Sequence, residues 1–327
     1  MKNQEIKNFL AKLQELDDFA IIGHINPDGD TIGSALALAF MLESLGKKVE
    51  LWNLDPVPEL YHFLPGVQRF SCPQAGDWQG KNLIFVDCSE PKRCGDEILP
   101  YYRQASTLFN IDHHISNKLF ADFNLVVPER AASGEIIYEL VKMSGVPLSR
   151  EIATCLYVTI VTDTGSFRFP NTTASTFRIA AELKEAGADT ETINHQIYEE
   201  IPPETLAVLG YAFAHFQYSP QRKVCWLVLD KQTLTRLQAR DEHLEGIVNY
   251  AKAQKGVEVG ILLREAEPDL VKVSFRSKKA VDVNALAQIF GGGGHQRAAG
   301  CRYRGPLTEA EQKIIEQAIL ITEGAGA

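Results

Sequence analysis

Long hydrophobic runs are absent from this 327-residue sequence. A membrane-spanning helix needs about 18 or more consecutive apolar residues, and no segment provides them. The first residues, Met1–Glu5, open a polar amphipathic stretch that lacks the apolar core of a secretion signal. We therefore expect a cytoplasmic protein that does not bind a membrane.

Cysteine pairs of the C-x-x-C kind are absent as well. The six cysteines are isolated in the sequence, at Cys72, Cys88, Cys94, Cys155, Cys225 and Cys301. In a long intracellular chain, such cysteines are mostly reduced and buried thiols. The sequence therefore does not support a zinc site built from cysteines.

An excess of positive charge is the third missing feature. The chain has 33 Lys and Arg against 42 Asp and Glu, which gives a net charge of −9. Binding along a nucleic acid requires many basic residues that neutralise phosphates, so a long duplex is excluded as a partner. A small phosphorylated substrate stays compatible with this charge, because it needs only a local basic pocket and a metal.

Short apolar runs alternate with helical patterns over the first two-thirds of the chain. Strands are predicted at Phe19–Gly23, Lys48–Trp52, Asn82–Asp87 and Thr107–Ile111. Helices are predicted at Ile32–Leu45 and near residues 132–143, 149–161 and 175–186. Strands separated by helices are typical of an α/β fold with a doubly wound, mainly parallel sheet.

The pattern changes after Gly187. Residues 190–216 are predicted to form a helical connector that is interrupted by Pro202 and Pro203. Strand-like runs then alternate with helical ones, with strands at Val224–Leu229, Val257–Leu263 and Leu270–Phe275 and helices near residues 243–253, 283–290 and 308–321. We predict a first domain over residues 1–189 and a second, smaller α/β domain over residues 217–327.

Acidic residues and histidines follow the predicted strands where the strands end. The motif His24-Ile-Asn-Pro-Asp28-Gly-Asp30 follows the first strand, and the later ones are Asp87, Asp112-His113-His114 and Asp163. Ligands of open α/β sheets bind at the carboxyl ends of the strands. Each motif also has a plain alternative, because an aspartate can close a turn and adjacent histidines can lie on the surface.

Taken together, the motifs supply oxygen and imidazole ligands and no thiolate. The candidate metal ligands are two histidines and four aspartates: His24, His113, Asp28, Asp30, Asp87 and Asp163. Such a set suits manganese, cobalt, iron or magnesium better than structural zinc. The number of ligands fits two divalent ions bridged by Asp87. Two such ions can activate a water and hold phosphoryl oxygens during in-line displacement.

The C-terminal third contains a second candidate site. Four glycines, Gly291–Gly294, precede His295, and basic residues surround them at Lys272, Arg276, Lys278, Lys279, Arg297, Arg302 and Arg304. Glycine lets backbone approach a ligand closely, and guanidinium matches the geometry of phosphate. We predict substrate binding by Arg276, Arg297, His295, Gly292, Gly293 and Gly294, and by Ser34 near a helix start. The alternative is a solvated basic face with a flexible hairpin.

The motifs, in this order, resemble those of the DHH phosphoesterase superfamily. The superfamily is named after its Asp-His-His motif, which occurs here as Asp112-His113-His114. Gly291–Gly300 resembles the signature of the domain that accompanies DHH in one subfamily. The resemblance implies that His24, Asp28 and Asp87 hold one ion. It implies a second ion on Asp30, Asp87, His113 and Asp163. By the same resemblance His114 and Asp87 are catalytic: His114 faces the substrate and stabilises or protonates the leaving oxygen, while Asp112 supports the histidines.

The length and the two domains resemble the nanoRNases, also called oligoribonuclease and pAp phosphatases. This resemblance implies hydrolysis of short RNA to mononucleotides and of adenosine 3′,5′-bisphosphate (pAp) to AMP. It also implies two Mn²⁺ ions, with Mg²⁺ or Co²⁺ as alternatives, and an active site in the cleft between the domains. A homodimer is compatible with it. Two alternatives stay open: a phosphodiesterase for cyclic di-AMP or linear pApA, and a non-catalytic nucleotide-binding regulator.

Overall fold

The structure is a computed structural model that describes residues 2–324. The chain divides into two compact units, Met1–Glu200 and Ile201–Ala327. The division lies within the segment 190–216 that the sequence predicts as a connector. Among residues 2–324, no helix is both long and apolar enough to cross a membrane.

A parallel sheet forms the centre of the first unit. Six strands of the described chain have the order β3-β2-β1-β4-β5-β6, with bounds β1 Phe19–Ile22, β2 Val49–Trp52, β3 Phe70–Ser71, β4 Asn82–Val86, β5 Thr107–Asp112 and β6 Phe123–Val126. Every pairing between neighbours is parallel. The strand order reverses between β1 and β4. Such a reversal opens a crevice at the carboxyl ends of the two strands, where ligands of α/β proteins bind.

Helices cover the sheet of the first unit: α1 Lys2–Glu15, α2 Gly29–Ser44, α3 Ser133–Ser144, α4 Arg150–Asp163, α5 Ala174–Glu185 and α6 Thr190–Asn194. Nearly all of α2 is buried, since apolar residues surround its axis. A Cβ added at Gly33 would lie 2.5 Å from the carbonyl oxygen of Cys155, so glycine allows α2 to pack closely on α4. This architecture confirms the predicted α/β fold.

The second unit contains a mixed sheet. Its six described strands have the order β11-β12-β10-β9-β8-β7, with bounds β7 Gln217–Tyr218, β8 Val224–Leu229, β9 Val259–Glu267, β10 Leu270–Ser277, β11 Gly293–His295 and β12 Ala298–Arg304. The pairing of β8 with β9 is parallel, and the other pairings are antiparallel. Its helices are α7 Pro203–His215, α8 Lys231–Arg236, α9 Ile247–Ala253, α10 Val283–Ile289 and α11 Leu307–Gly324.

Strand β10 shows how the second sheet separates its two faces. Val271, Val273 and Phe275 are buried in an apolar core with residues of α10 and α11. Because side chains alternate along a strand, Lys272 and Arg276 lie on the opposite face. The sequence did not predict β11 and β12. Glycine has little preference for strands, and Gly293–His295 nevertheless pairs with β12 as a hairpin.

Candidate metal centre

The segments after β1, β4 and β5 and the last residue of α4 carry the candidate ligands. Asp28 is the N-cap of α2, and its Oδ1 accepts a hydrogen bond from the backbone N–H of Thr31 at 3.0 Å. Asp87 follows β4 with a φ of 56°, a left-handed conformation that is uncommon outside glycine. Its backbone N–H donates to the carbonyl of Ile111 in β5 at 2.9 Å, which holds this turn against the next strand.

All six candidate ligands lie together at the carboxyl end of the first sheet. Three groups of potential ligands occur among the described residues: His24 with Asp28 and Asp87, Asp30 with His113 and Asp163, and Asp87 with His113 and His114. Within each group, the ligand atoms are all within 4.8 Å of one another. Asp87 and His113 each belong to two groups, so the groups form one continuous cluster. The role of these residues as metal ligands stays a prediction.

The two imidazoles of His24 and His113 are oriented by backbone carbonyls. His24 Nδ1 lies 2.8 Å from the carbonyl of Ile25, and His113 Nδ1 lies 3.2 Å from that of Arg130. Because a carbonyl can only accept, Nδ1 carries the proton in both rings. Each Nε2 therefore faces the carboxylates, with His24 Nε2 at 3.4 Å and His113 Nε2 at 3.6 Å from Asp87. Metal-binding histidines commonly have this arrangement.

Two hydroxyl groups that the sequence did not single out orient Asp87. Thr31 Oγ1 donates to Asp87 Oδ2 at 2.9 Å, and Ser133 Oγ donates to Asp87 Oδ1 at 3.1 Å. Both carboxylate oxygens are thus fixed, and Asp87 is only 2% exposed. The sole sequence signal for Ser133 is a hydroxyl residue at the start of a predicted helix, which is also typical of an ordinary cap.

Asp30 is held by the N-terminus of α3. Its carboxylate accepts the backbone N–H groups of Ser133 at 2.7 Å and Gly134 at 3.1 Å. The first N–H groups of a helix need such partners, and the N-cap residue Ala132 has no side-chain acceptor. Ser34 is fully buried and donates its hydroxyl to Asp30 at 3.1 Å. Ser34 therefore supports Asp30, and its predicted contact with substrate stays a prediction.

His114 is positioned by Asp112. Asp112 Oδ1 lies 2.6 Å from His114 Nδ1 and also accepts the backbone N–H of His113 at 2.9 Å. The other oxygen of Asp112 accepts a hydrogen bond from Asn117 at 2.6 Å. This network fixes the ring of His114 through Nδ1.

The crowded carboxylates alter the pKa values of the cluster. Burial raises the pKa of Asp163 to about 7, with the charge of Asp87 adding to the effect against the opposing charge of His113. Burial disfavours the charged form of His113, but Asp163, Asp30 and Asp87 outweigh it and raise its pKa to about 9. The pKa of His24 is also raised despite its burial, by hydrogen bonds to Asp28 and Asp87.

The raised pKa values show that protons offset the negative charge of the crowded carboxylates, and a bound cation would offset the same charge. Oxygen and imidazole donors without thiolate suit hard to borderline divalent ions. On the chemistry of its donors, the site fits such ions.

The predicted substrate residues of the second unit lie on its sheet and hairpin. Arg276 donates to the carbonyl of Phe275 at 3.0 Å, and Arg297 donates to that of Val281 at 2.7 Å. A Cβ at Gly292 would lie 2.2 Å from the carbonyl oxygen of Gly300, so this glycine is required by packing of the hairpin itself. Gly293 and Gly294 pair with β12, and the side chain of His295 lies outside the described part of the structure.

The basic residues of the second unit form two groups instead of one patch. Antiparallel pairing places Lys272 opposite Arg302 and Leu270 opposite Arg304 at one end of β10. Arg276 pairs with Ala298 at the other end, beside Arg297. The register of β10 with β12 thus places these basic residues toward the two ends of β10, and their role in substrate binding stays a prediction.

Comparison with known proteins identifies the family. Residues 18–160 match the N-terminal domain of the DHH family, and residues 224–323 match the DHHA1 domain. The chain belongs to the DHH phosphoesterase family, which confirms the resemblance that the motifs indicated.

Its relatives include the bifunctional oligoribonuclease and PAP phosphatase NrnA of Thermus thermophilus, which is 32% identical over 90% of this chain and 87% of that protein. The cyclic-di-AMP phosphodiesterase GdpP of Geobacillus thermodenitrificans is 27% identical over 93% of this chain and 47% of that protein. The crystal structure of an exopolyphosphatase-related protein from Bacteroides fragilis matches with a TM-score of 0.92 and 26% identity, over 99% of this chain and 98% of that one.

Proposed function

We propose that this protein hydrolyses short oligoribonucleotides to mononucleotides and pAp to AMP, as a phosphoesterase that uses two divalent metal ions. The observation that carries the proposal is the position of Asp87, whose carboxylate belongs to two adjoining groups of ligand atoms. The names of relatives such as the Thermus thermophilus protein support the choice of substrates.

The two proposed ions share Asp87 and differ in their other ligands. His24, Asp28 and Asp87 would hold one ion, while Asp30, His113 and Asp163 would hold the other together with Asp87. We propose Mn²⁺ for both positions, with Mg²⁺ or Co²⁺ as alternatives, because the donors are oxygen and imidazole. Such ions, when bound, lower the pKa of water and stabilise negative charge on phosphoryl oxygens.

The protein's own residues orient the reaction. Thr31 and Ser133 fix both oxygens of Asp87, so the shared ligand needs little rearrangement. We assign His114 to the substrate, where Nε2 donates a hydrogen bond or a proton to the leaving oxygen. Asp112 supports this role, because its carboxylate at Nδ1 fixes the direction of the ring.

The second unit supplies the proposed contacts to the rest of the substrate. Arg276, Arg297 and His295 would bind a terminal phosphate, with Gly293 and Gly294 allowing close approach of the backbone. A cyclic dinucleotide has no terminal phosphate, so its binding would depend less on these residues. This difference separates the proposed substrates from those of a cyclic-dinucleotide phosphodiesterase.

A panel of substrates with added Mn²⁺ tests the proposal. We expect hydrolysis of a dinucleotide RNA and of pAp, and little or no hydrolysis of cyclic di-AMP or pyrophosphate. Chromatography of the products measures the reaction. Cleavage of cyclic di-AMP alone would replace the proposed substrates and keep the metal-dependent reaction. Inactivity toward every compound, in protein shown to bind Mn²⁺, would favour a non-catalytic nucleotide-binding regulator.

A further inference from the structure

Three basic side chains form a row across neighbouring strands of the second unit. Lys272 on β10 pairs directly with Arg264 on β9 and with Arg302 on β12. Neighbouring strands are about 4.8 Å apart, so this cationic row is about 10 Å wide at the backbone. Like charges directly opposite one another destabilise a sheet. A bound anion would offset that cost.

The protein neutralises the cationic row only in part. Asp241 forms ion pairs with Arg264 and, at 3.1 Å, with Lys272. Arg302 is exposed and forms no ion pair within residues 2–324. Burial lowers the pKa of Lys272, and the positive charges of Arg264 and Arg302 lower it further. One carboxylate thus contacts two of the three cations in the row.

The cationic row lines a pocket that lies entirely in the second unit. The pocket has a volume of about 780 Å³, and its walls include Leu234 and Gln238 from α8 and the loop after it. Pockets of about 300–1,000 Å³ are typical of small-molecule sites. The other charged residues of the lining are two cations, Lys231 and Arg240, and two acids, Glu265 and Glu267.

The acids leave an excess of positive charge. Glu265 is already engaged with the backbone N–H of Lys231 at 2.8 Å. With Asp241 counted, the lining has five basic and three acidic side chains, and one of the basic side chains, Arg240, forms an ion pair with Glu242 outside the lining. The pocket is therefore positive within a protein whose net charge is −9.

We propose that this pocket binds a linear oligophosphate chain, either free or at the end of a nucleotide. The cationic row is about 10 Å wide at the backbone, a width that a chain of phosphates can span so that it contacts all three side chains. The guanidinium groups of Arg264 and Arg302 suit phosphate oxygens. Arg276 is four residues farther along the same face of β10, about 13 Å away, so this site is separate from the proposed substrate contacts.

Isothermal titration of the full chain with inorganic tripolyphosphate tests the proposal. The titrations use the Asp87→Asn protein, in which the proposed metal centre is impaired, so that tripolyphosphate is not hydrolysed during the measurement. The proposed pocket does not include Asp87, so this substitution should not change its affinity. We expect one tripolyphosphate per chain and binding of monophosphate at least about tenfold weaker. A titration with a nucleoside triphosphate distinguishes the two sources, since tighter binding of either ligand identifies the form that the site prefers.

Variants of the cationic row give the decisive comparison. Arg302→Ala and Lys272→Met should each weaken binding of tripolyphosphate by about tenfold. Arg304→Ala is the matched control, because Arg304 is an exposed arginine of the same strand outside the pocket lining, and the expected loss is below about twofold. Melting temperatures of all variants verify folding.

Three results would overturn the proposal. The first is unchanged affinity in both row variants, and the second is equal binding of monophosphate and tripolyphosphate. The third is tighter binding to the cationic row of a short single-stranded RNA with a 5′-hydroxyl than of tripolyphosphate. That last result would assign the site to an RNA backbone instead.

Discussion

Replacing Asp87 with asparagine keeps the size of the side chain and removes its charge. The carboxylate lies 3.4 Å from His24 Nε2 and 3.6 Å from His113 Nε2, so it faces both proposed ions. Loss of a supporting contact at one metal typically costs about 10- to 100-fold in affinity or activity. Because Asp87 would serve two ions, we expect Asp87→Asn to lower kcat/KM by about 10²- to 10⁴-fold.

The matched control is Asp28→Asn, which changes a ligand belonging to only one of the groups. We expect a smaller loss, about 10- to 100-fold, that is largely restored by raising the concentration of Mn²⁺. Asp77→Asn, an exposed position whose carboxylate accepts the backbone N–H of Gln74, should leave activity unchanged. The assay measures initial rates on pAp and a dinucleotide RNA over a range of Mn²⁺ concentrations.

The comparison between the two aspartates decides the result. If both ions depend on Asp87, excess Mn²⁺ should rescue Asp28→Asn but not Asp87→Asn. Equal losses in the two variants, or more than a tenth of the normal rate in Asp87→Asn, would contradict a shared ligand. Melting curves in the presence of chelator show whether the variants are folded.

Four further predictions follow from contacts in the first unit. The pKa values of about 7 for Asp163 and about 9 for His113 imply that metal binding displaces protons from these side chains. The affinity for Mn²⁺ should therefore rise from pH 7 to pH 9. Calorimetry in two buffers with different ionisation enthalpies should detect the released protons. Because both pKa values are raised, the folded apoprotein binds more protons than the unfolded chain does between pH 7 and pH 9. Its melting temperature should therefore fall over this range, and a rise in melting temperature would contradict the prediction. Ser133→Ala should lower activity by about tenfold, because it removes the hydroxyl contact to Asp87 and keeps the backbone hydrogen bond to Asp30. Ser133→Thr keeps a hydroxyl group and should lower activity less. Gly33→Ala should destabilise the protein by about 1–3 kcal/mol in denaturant titrations, because its Cβ would lie 2.5 Å from the carbonyl oxygen of Cys155.

The sequence predicts the parallel sheet well for a geometric reason. A strand that is buried on both faces contains a continuous apolar run, as in Leu83–Val86, and the intervening helices repeat with a different period. Carboxyl ends of parallel strands meet at one edge, so motifs far apart in sequence could be expected to meet there. His24, Asp87 and His113 do lie together at that edge.

Contacts that depend on the packing of helices could not be predicted in this way. Ser133 reaches Asp30 across 103 positions of sequence, and only the placement of α3 beside α2 brings them together. Ser34 was predicted to meet a phosphate because it is near a helix start, but the same packing buries it. The two groups of basic residues depend on the register between β10 and β12, which the pattern of apolar residues did not predict.

The position of Asp30 connects the stability of the fold to the chemistry of the site. The N-terminus of α3 needs acceptors, and a carboxylate there is stabilised by both hydrogen bonds and the helix dipole. Asp30 provides that acceptor while its burial and the charge of Asp87 raise its pKa well above the usual range. A nearby divalent ion would favour the charged form, which is also the better acceptor for the N–H groups of Ser133 and Gly134. Binding of metal should therefore strengthen the start of α3, and α3 in turn holds the hydroxyl of Ser133 against Asp87.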